Sequence, residues 1–167
     1  MMKIGLGGGC HWCTEAVFQS LVGVHRVEQG YIASTGKNSS FSEAVIVHFN
    51  SEEITLTTLI EVHLHTHKST SKHSLRKRYR SAVYYFSEEQ KQLAIQSLKT
   101  LQRDFDELII TEILSFSGFK ASRESLQNYY RTNPERPFCK RFIDPKIKLL
   151  LQQFSEKIRD IKLPIAE

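Results

Sequence analysis

Cysteine is scarce in this chain of 167 residues: Cys10, Cys13 and Cys139 are the only three. That number is too small for a disulfide framework and, being odd, leaves at least one thiol free or exchanging, so a reducing compartment is the default. Four prolines and eight glycines are too few and too scattered to mark a linker, and no period of about 20 to 50 residues recurs. No apolar run approaches the about 18 residues a membrane span needs, so neither a span nor an anchor is expected. The small residues of Met1 to Gly9 before Cys10 lack the longer apolar stretch of a secretory signal, which makes the cytoplasm the expected compartment. What remains, 40% apolar and 25% charged residues with a net charge of +5, suits one globular domain over 1–167, working as a monomer.

Hydrophobic periodicity places a buried strand over Met2 to Gly7, a break at Gly7-Gly8-Gly9, and a helix that begins near Cys10 and stops at Gly23. Strands are expected over Val24 to Ala33 and Glu43 to Phe49, with a turn-rich loop from Ser34 to Ser40 between them. Thr57 to His67 has a helical repeat, capped from Asn50/Ser51 or Thr55. After a loop from Ser69 to Arg80 and a strand over Ser81 to Phe86, Ser87 and Gln90 form a capping box for a helix to about Asp104. Ile109 to Phe116 reads as a strand, Ser122 to Arg131 as a short helix, and Asn133 to Pro137 as a turn. A last helix from Pro145 to Ile161, with Asp144 as N-cap, aligns Ile147, Leu150, Leu151, Phe154, Ile158 and Ile161 on one face. The interleaving predicts an α/β (α+β) fold, a central mixed sheet flanked by helices with an extra C-terminal helix.

Chemistry concentrates in Gly7-Gly8-Gly9-Cys10-His11-Trp12-Cys13-Thr14-Glu15. A cysteine at a helix start meets free backbone N–H groups and the positive end of the helix dipole, which favour the thiolate. The glycines let a substrate approach the backbone. A phosphate cradle is excluded, because Cys10 stands where its third glycine should be and no Lys-Ser/Thr follows.

The same string, with Ser42-Glu43-Ala44-Val45, Tyr79-Arg80-Ser81-Ala82-Val83-Tyr84, Tyr129 and Asn133-Pro134…Cys139 in this order, resembles the peptide methionine sulfoxide reductases of the A type. The resemblance implies reduction of methionine S-sulfoxide, peptide-bound or free. In it Cys10 is the nucleophile, left as a sulfenic acid. Glu43 is a buried carboxyl that protonates the sulfoxide oxygen, for which burial would have to raise its pKa. Tyr79 helps hold that oxygen, and Trp12, with His11 and Tyr129, forms the substrate wall. No bound cofactor and no metal are implied; the reductant is an external dithiol, thioredoxin. A second thiol must condense with the sulfenic acid: proximity favours Cys13, the resemblance favours Cys139 in its proline-bounded, mobile-looking segment, and Cys139 is the expected partner.

Three departures stand out. His11 occupies a place where the family usually has Phe, the 34–40 loop lacks the family's Tyr, and the family's Asp ahead of Tyr79 is replaced near Ser74, with His73 the nearby titratable residue. Three rival readings exist. His63, His65, His67 and His73 with the thiols could hold a metal, although no His-Glu-x-x-His is present. Lys72, Arg76, Lys77, Arg78 and Arg80 could attract nucleic acid or an acidic partner surface, although no recognition motif accompanies them. A general thiol–disulfide oxidoreductase would use the Cys pair without Glu43.

Overall fold

The computed structural model describes residues 1–158. Its order is β1 (Met2–Gly7), α1 (His11–Gln19), β2 (Val24–Ala33), β3 (Ser42–Phe49), α2 (Leu56–Thr66), β4 (Ala82–Tyr85), α3 (Glu88–Leu101), β5 (Glu112–Ser115), β6 (Gly118–Ala121), α4 (Tyr129–Thr132) and α5 (Asp144–Gln153). The strands form one mixed sheet in the order β5-β4-β1-β3-β2-β6. All pairings are antiparallel except β4 with β5. Alternation along the strands divides the apolar residues. Ile4, Leu6, Val45, Val47 and Phe49 join Val17 and Phe18 of α1, Leu59 and Leu64 of α2, and Ile147 and Leu150 of α5 in the main core. Ala44, Ile46, Ile32, Ala82 and Tyr84 form a smaller cluster with Phe86 and Phe116.

Local chemistry sets the helix starts. Thr55 accepts from the Thr58 N–H and Ser87 from the Gln90 N–H. Gln90 turns its own oxygen to the Phe86 N–H and its amide to the Lys3 carbonyl, each at 2.8 Å, tying α3 to the first strand. Gly23, at φ 91°, makes the reversal after α1 that carries the chain into β2.

The structure corrects four expected elements. The single helix over Ser122 to Arg131 is instead a 3₁₀ turn at Glu124–Leu126 and the short α4. They are separated by Asn128 at φ 55° because the buried Glu15 carboxylate takes the N–H groups of Asn128 and Tyr129 at 3.0 and 3.1 Å. The strand expected over Ile109 to Phe116 shortens to β5, and β6, too brief to show a period, pairs with β2 on the other edge. Asp144 does not cap α5: a π-helical turn, Cys139–Ile143, runs straight into the helix, and Asp144 accepts from the Tyr130 hydroxyl at 2.8 Å instead. That helix ends at Gln153, and Ile158 bridges back to Leu21; Ile161 lies outside the described residues.

Candidate active site

Cys10 is the N-cap of α1, with backbone at φ −58° and ψ 127°, and its carbonyl receives the N–H groups of Cys13 and Thr14 at 3.1 Å. The neighbouring Cys13 side chain and the N–H groups of Trp12 and Cys13 hold the Cys10 thiol below its ordinary value, against burial and the charge of Glu43. The Cys10 neighbour, with burial, pushes the Cys13 thiol far up. Residues three apart share one face at a helix start, so Cys10 and Cys13 line the same pocket. Cys139, expected in a mobile segment, is fully buried in the main core and opens the π-helical turn; its S–H points to the Asn133 carbonyl at 3.6 Å.

Behind the pair a small pocket is lined by Cys10, Cys13, Thr66, His63, His67 and Lys146. His67 lies so close beneath Gly8 that a Cβ there would come within 2.5 Å of the ring, a close approach only glycine permits. Burial holds His63 down at about 4 and His67 well below its usual value, so both rings are neutral near pH 7. The cation of this cavity is Lys146 of α5, whose ammonium donates to the Thr66 carbonyl and attracts both thiols.

On the other side of Cys10 the register of β1 with β3 sets Gly7 opposite Ala44, and so brings Glu43 to the strand end from which the Cys10 turn departs. Glu43 is buried, with Oε2 accepting from Arg78 Nε at 2.8 Å and Oε1 lying 3.4 Å from the His11 backbone N–H and 3.3 Å from His11 Nε2. Tyr79 is half-buried beneath the Arg78 guanidinium, and its hydroxyl is pushed up by burial and by the neighbouring Glu43 charge. Trp12 stacks on Tyr129 at 4.2 Å and meets Phe138 edge-on at 5.2 Å. The Glu15 carboxylate, by holding the Tyr129 N–H, keeps that ring on Trp12.

The rival clusters come apart. His63 donates to the Gly7 carbonyl, His65 faces Asp104 and His67 faces Ser81, and among the described residues no three His, Cys, Asp or Glu side chains gather as a metal cage. In the basic run, Arg76 is spent on the carbonyls of Gly8, Lys68, Ser71 and Tyr79, and Arg80 on Ile32 and Ser40, while Arg78 belongs to Glu43. Ser74 is exposed and His73 lines a surface groove with Lys37 and Lys72, so the titratable ring beside Glu43 is His11. Sequence reasoning missed Arg78 as a site residue, because it sat inside a charge run, and Lys146, because only α5 packing brings it to the thiols.

A family model described as peptide methionine sulfoxide reductase matches residues 2–158. Curated relatives named peptide methionine sulfoxide reductase MsrA include one from Trichodesmium erythraeum, 35% identical over 93% of this chain and 97% of its own. Another, from Sulfolobus acidocaldarius, is 32% identical over 91% and 94%. Among solved structures, reduced Mxr1 from Saccharomyces cerevisiae shares the fold at a TM-score of 0.71 and 22% identity, over 80% of this chain and 86% of that one. Mxr1 has also been solved in complex with Trx2, similar at 0.62 and 22% over 77% and 84%. With nearly its whole length matched, this chain belongs to the A-type peptide methionine sulfoxide reductase family.

Proposed function

We propose that the protein reduces the S epimer of methionine sulfoxide, free or within peptides, with Cys10 as nucleophile; the observation that carries this reading is Cys10 at the N-cap of α1 with the buried Glu43 at the adjoining strand end. The Cys10 thiolate gives its electron pair to the sulfoxide sulfur while the oxygen takes a proton from Glu43 and a hydrogen bond from Tyr79. The sulfoxide S–O bond and the transient Cys10–sulfur bond then break as the hydroxyl passes to the Cys10 sulfur, so that one thiolate, one proton and one sulfoxide become one sulfenic acid and one methionine. Trp12, backed by Tyr129, offers the methyl group an apolar wall. Cys13, already in contact, then attacks the sulfenic sulfur and expels water, closing a Cys10–Cys13 disulfide; the buried Cys139 of the family pattern is the competing partner.

A thioredoxin-like dithiol reopens the disulfide at Cys10, the most accessible of the three sulfurs, and the protein acts as a cytoplasmic monomer. Mutation of Cys10 to Ser tests the core of this reading, since a hydroxyl is neither ionised nor nucleophilic toward sulfur at neutral pH. Reduction of the S epimer, followed by methionine release, falls to background in Cys10→Ser; retained turnover refutes the reading. A general thiol–disulfide oxidoreductase, which the N-cap pair also suits, would instead reduce disulfides equally well in Glu43→Gln.

A further inference from the structure

Resting on the proposed function, the question is how Glu43 keeps a proton for the sulfoxide oxygen beside the Arg78 guanidinium. The answer lies in the residue that departs from the family pattern. His11 Nδ1 is 2.7 Å from the Gly30 carbonyl, a group that can only accept, so Nδ1 carries the hydrogen. In the neutral ring Nε2 is then a bare lone pair, and it lies 3.3 Å from Glu43 Oε1 with each side chain 5% exposed. Two lone pairs facing each other out of reach of water repel unless a proton lies between them. Oε2 is already taken by Arg78 at 2.8 Å, which leaves Oε1, on which only the His11 backbone N–H sits at 3.4 Å, as the oxygen that can share one. Phe at position 11 could make neither the Gly30 contact nor the Glu43 contact.

We infer that His11 and Glu43 hold one proton between Nε2 and Oε1, and that His11 is thereby a positioning residue that keeps Glu43 supplied with the proton the sulfoxide oxygen takes. The groups facing the pair act in both directions. Burial disfavours the imidazolium, the Gly30 carbonyl and Glu43 favour it, and Arg78 opposes it. Tyr31 presents an uncharged ring at 5.1 Å and Trp12 another at 6.3 Å, while Tyr79 and the Cys10 thiolate lie beyond Glu43. In the reaction the proton moves from the pair to the sulfoxide oxygen as the Cys10–sulfur bond forms; solvent refills the pair after product leaves. A proton shared in this way belongs to the pair and comes off at one apparent pKa.

The test is the pH profile of kcat/KM for S-sulfoxide reduction in the wild type, His11→Phe and His11→Gln, of which the last can still donate to Gly30 but holds no proton. The expected result is a basic limb displaced to lower pH by about one unit in both variants, with activity at the acidic end kept within about threefold. A limb that stays in place, with rates reduced equally at all pH, means a merely structural role and overturns the inference. Should both variants fail to fold, the ¹⁵N spectrum of the wild-type His11 ring decides: a protonated Nδ1 and an Nε2 shift that changes in Glu43→Gln support the inference. A protonated Nε2 with a bare Nδ1, or an Nε2 shift indifferent to Glu43→Gln, overturns it. That spectrum needs no sulfoxide, so it stands even where Cys10→Ser has refuted the reduction itself.

Discussion

On the thiol side of the site, Cys10 is surrounded by its own turn: N–H groups of Trp12 and Cys13, the Cys13 thiol, and the helix start itself. On the acid side, Glu43 of β3 meets Arg78 from the 67–81 loop and His11 from the start of α1, three segments that only the folded sheet brings together. The contrast carries over to solvent: Arg78 keeps 70% of its side chain exposed while Glu43 and His11 are sealed. A thiol can be surrounded by a few consecutive residues because backbone N–H groups and a helix dipole are local; a sealed carboxyl side chain needs neighbours from several directions.

The comparison breaks most sharply at the second thiol. Because Cys13 contacts Cys10 at the N-cap, Cys13→Ser should complete one turnover and then stall under thioredoxin, whereas Cys139→Ser should keep recycling. Peptide mapping of the non-reduced protein after one equivalent of sulfoxide reads the linkage directly, and a Cys10–Cys139 disulfide in the wild type reverses the assignment. Next in size is the acid side. Glu43→Gln can still accept from Arg78 but delivers no proton, and kcat/KM at neutral pH should fall by about 10²-fold while Cys10 alkylation by iodoacetamide persists. Equal loss of both would mean that the two sides are not separable.

The smallest effect sharpens the thiol side. Lys146 attracts the anion of the pair, so in Lys146→Met the Cys10 thiol should rise toward its ordinary value and the alkylation curve should shift to higher pH. A displacement of about half a unit slows alkylation about threefold below the midpoint, and none above it, where both proteins are fully thiolate. An unmoved curve would leave backbone and Cys13 as the whole cause of the depressed thiol.

Legibility followed distance along the chain. The helix starts at Thr55 and Ser87 were readable because their caps act over three residues, and β1 to β3 because alternation or continuous apolarity marks them. The helix expected across Ser122 to Arg131 broke on the Glu15 carboxylate, 113 residues away from Asn128, and β6 exists by virtue of its partner β2 rather than its own four residues. Within the site, Cys10, Glu43, Tyr79, Trp12 and Tyr129 were nameable from ordered motifs, but their partners were not. Arg76, Arg78 and Arg80 look alike in a charge run, yet only contacts distinguish a loop tether from the Glu43 partner.

The sequence by itself determined that a cysteine would cap the first helix, since Gly-Gly-Gly before a helix start exposes N–H groups to whatever residue caps it, and it determined the alternating faces of the central strands. Only the tertiary structure decided that His11 would face Glu43, that Cys139 would be buried, and that a lysine of α5 would stand behind the thiols. The physical reason is that a hydrogen-bonding or charged side chain takes its meaning from what else is sealed in with it. That company is set by strand register and helix docking, which no stretch of a few residues encodes.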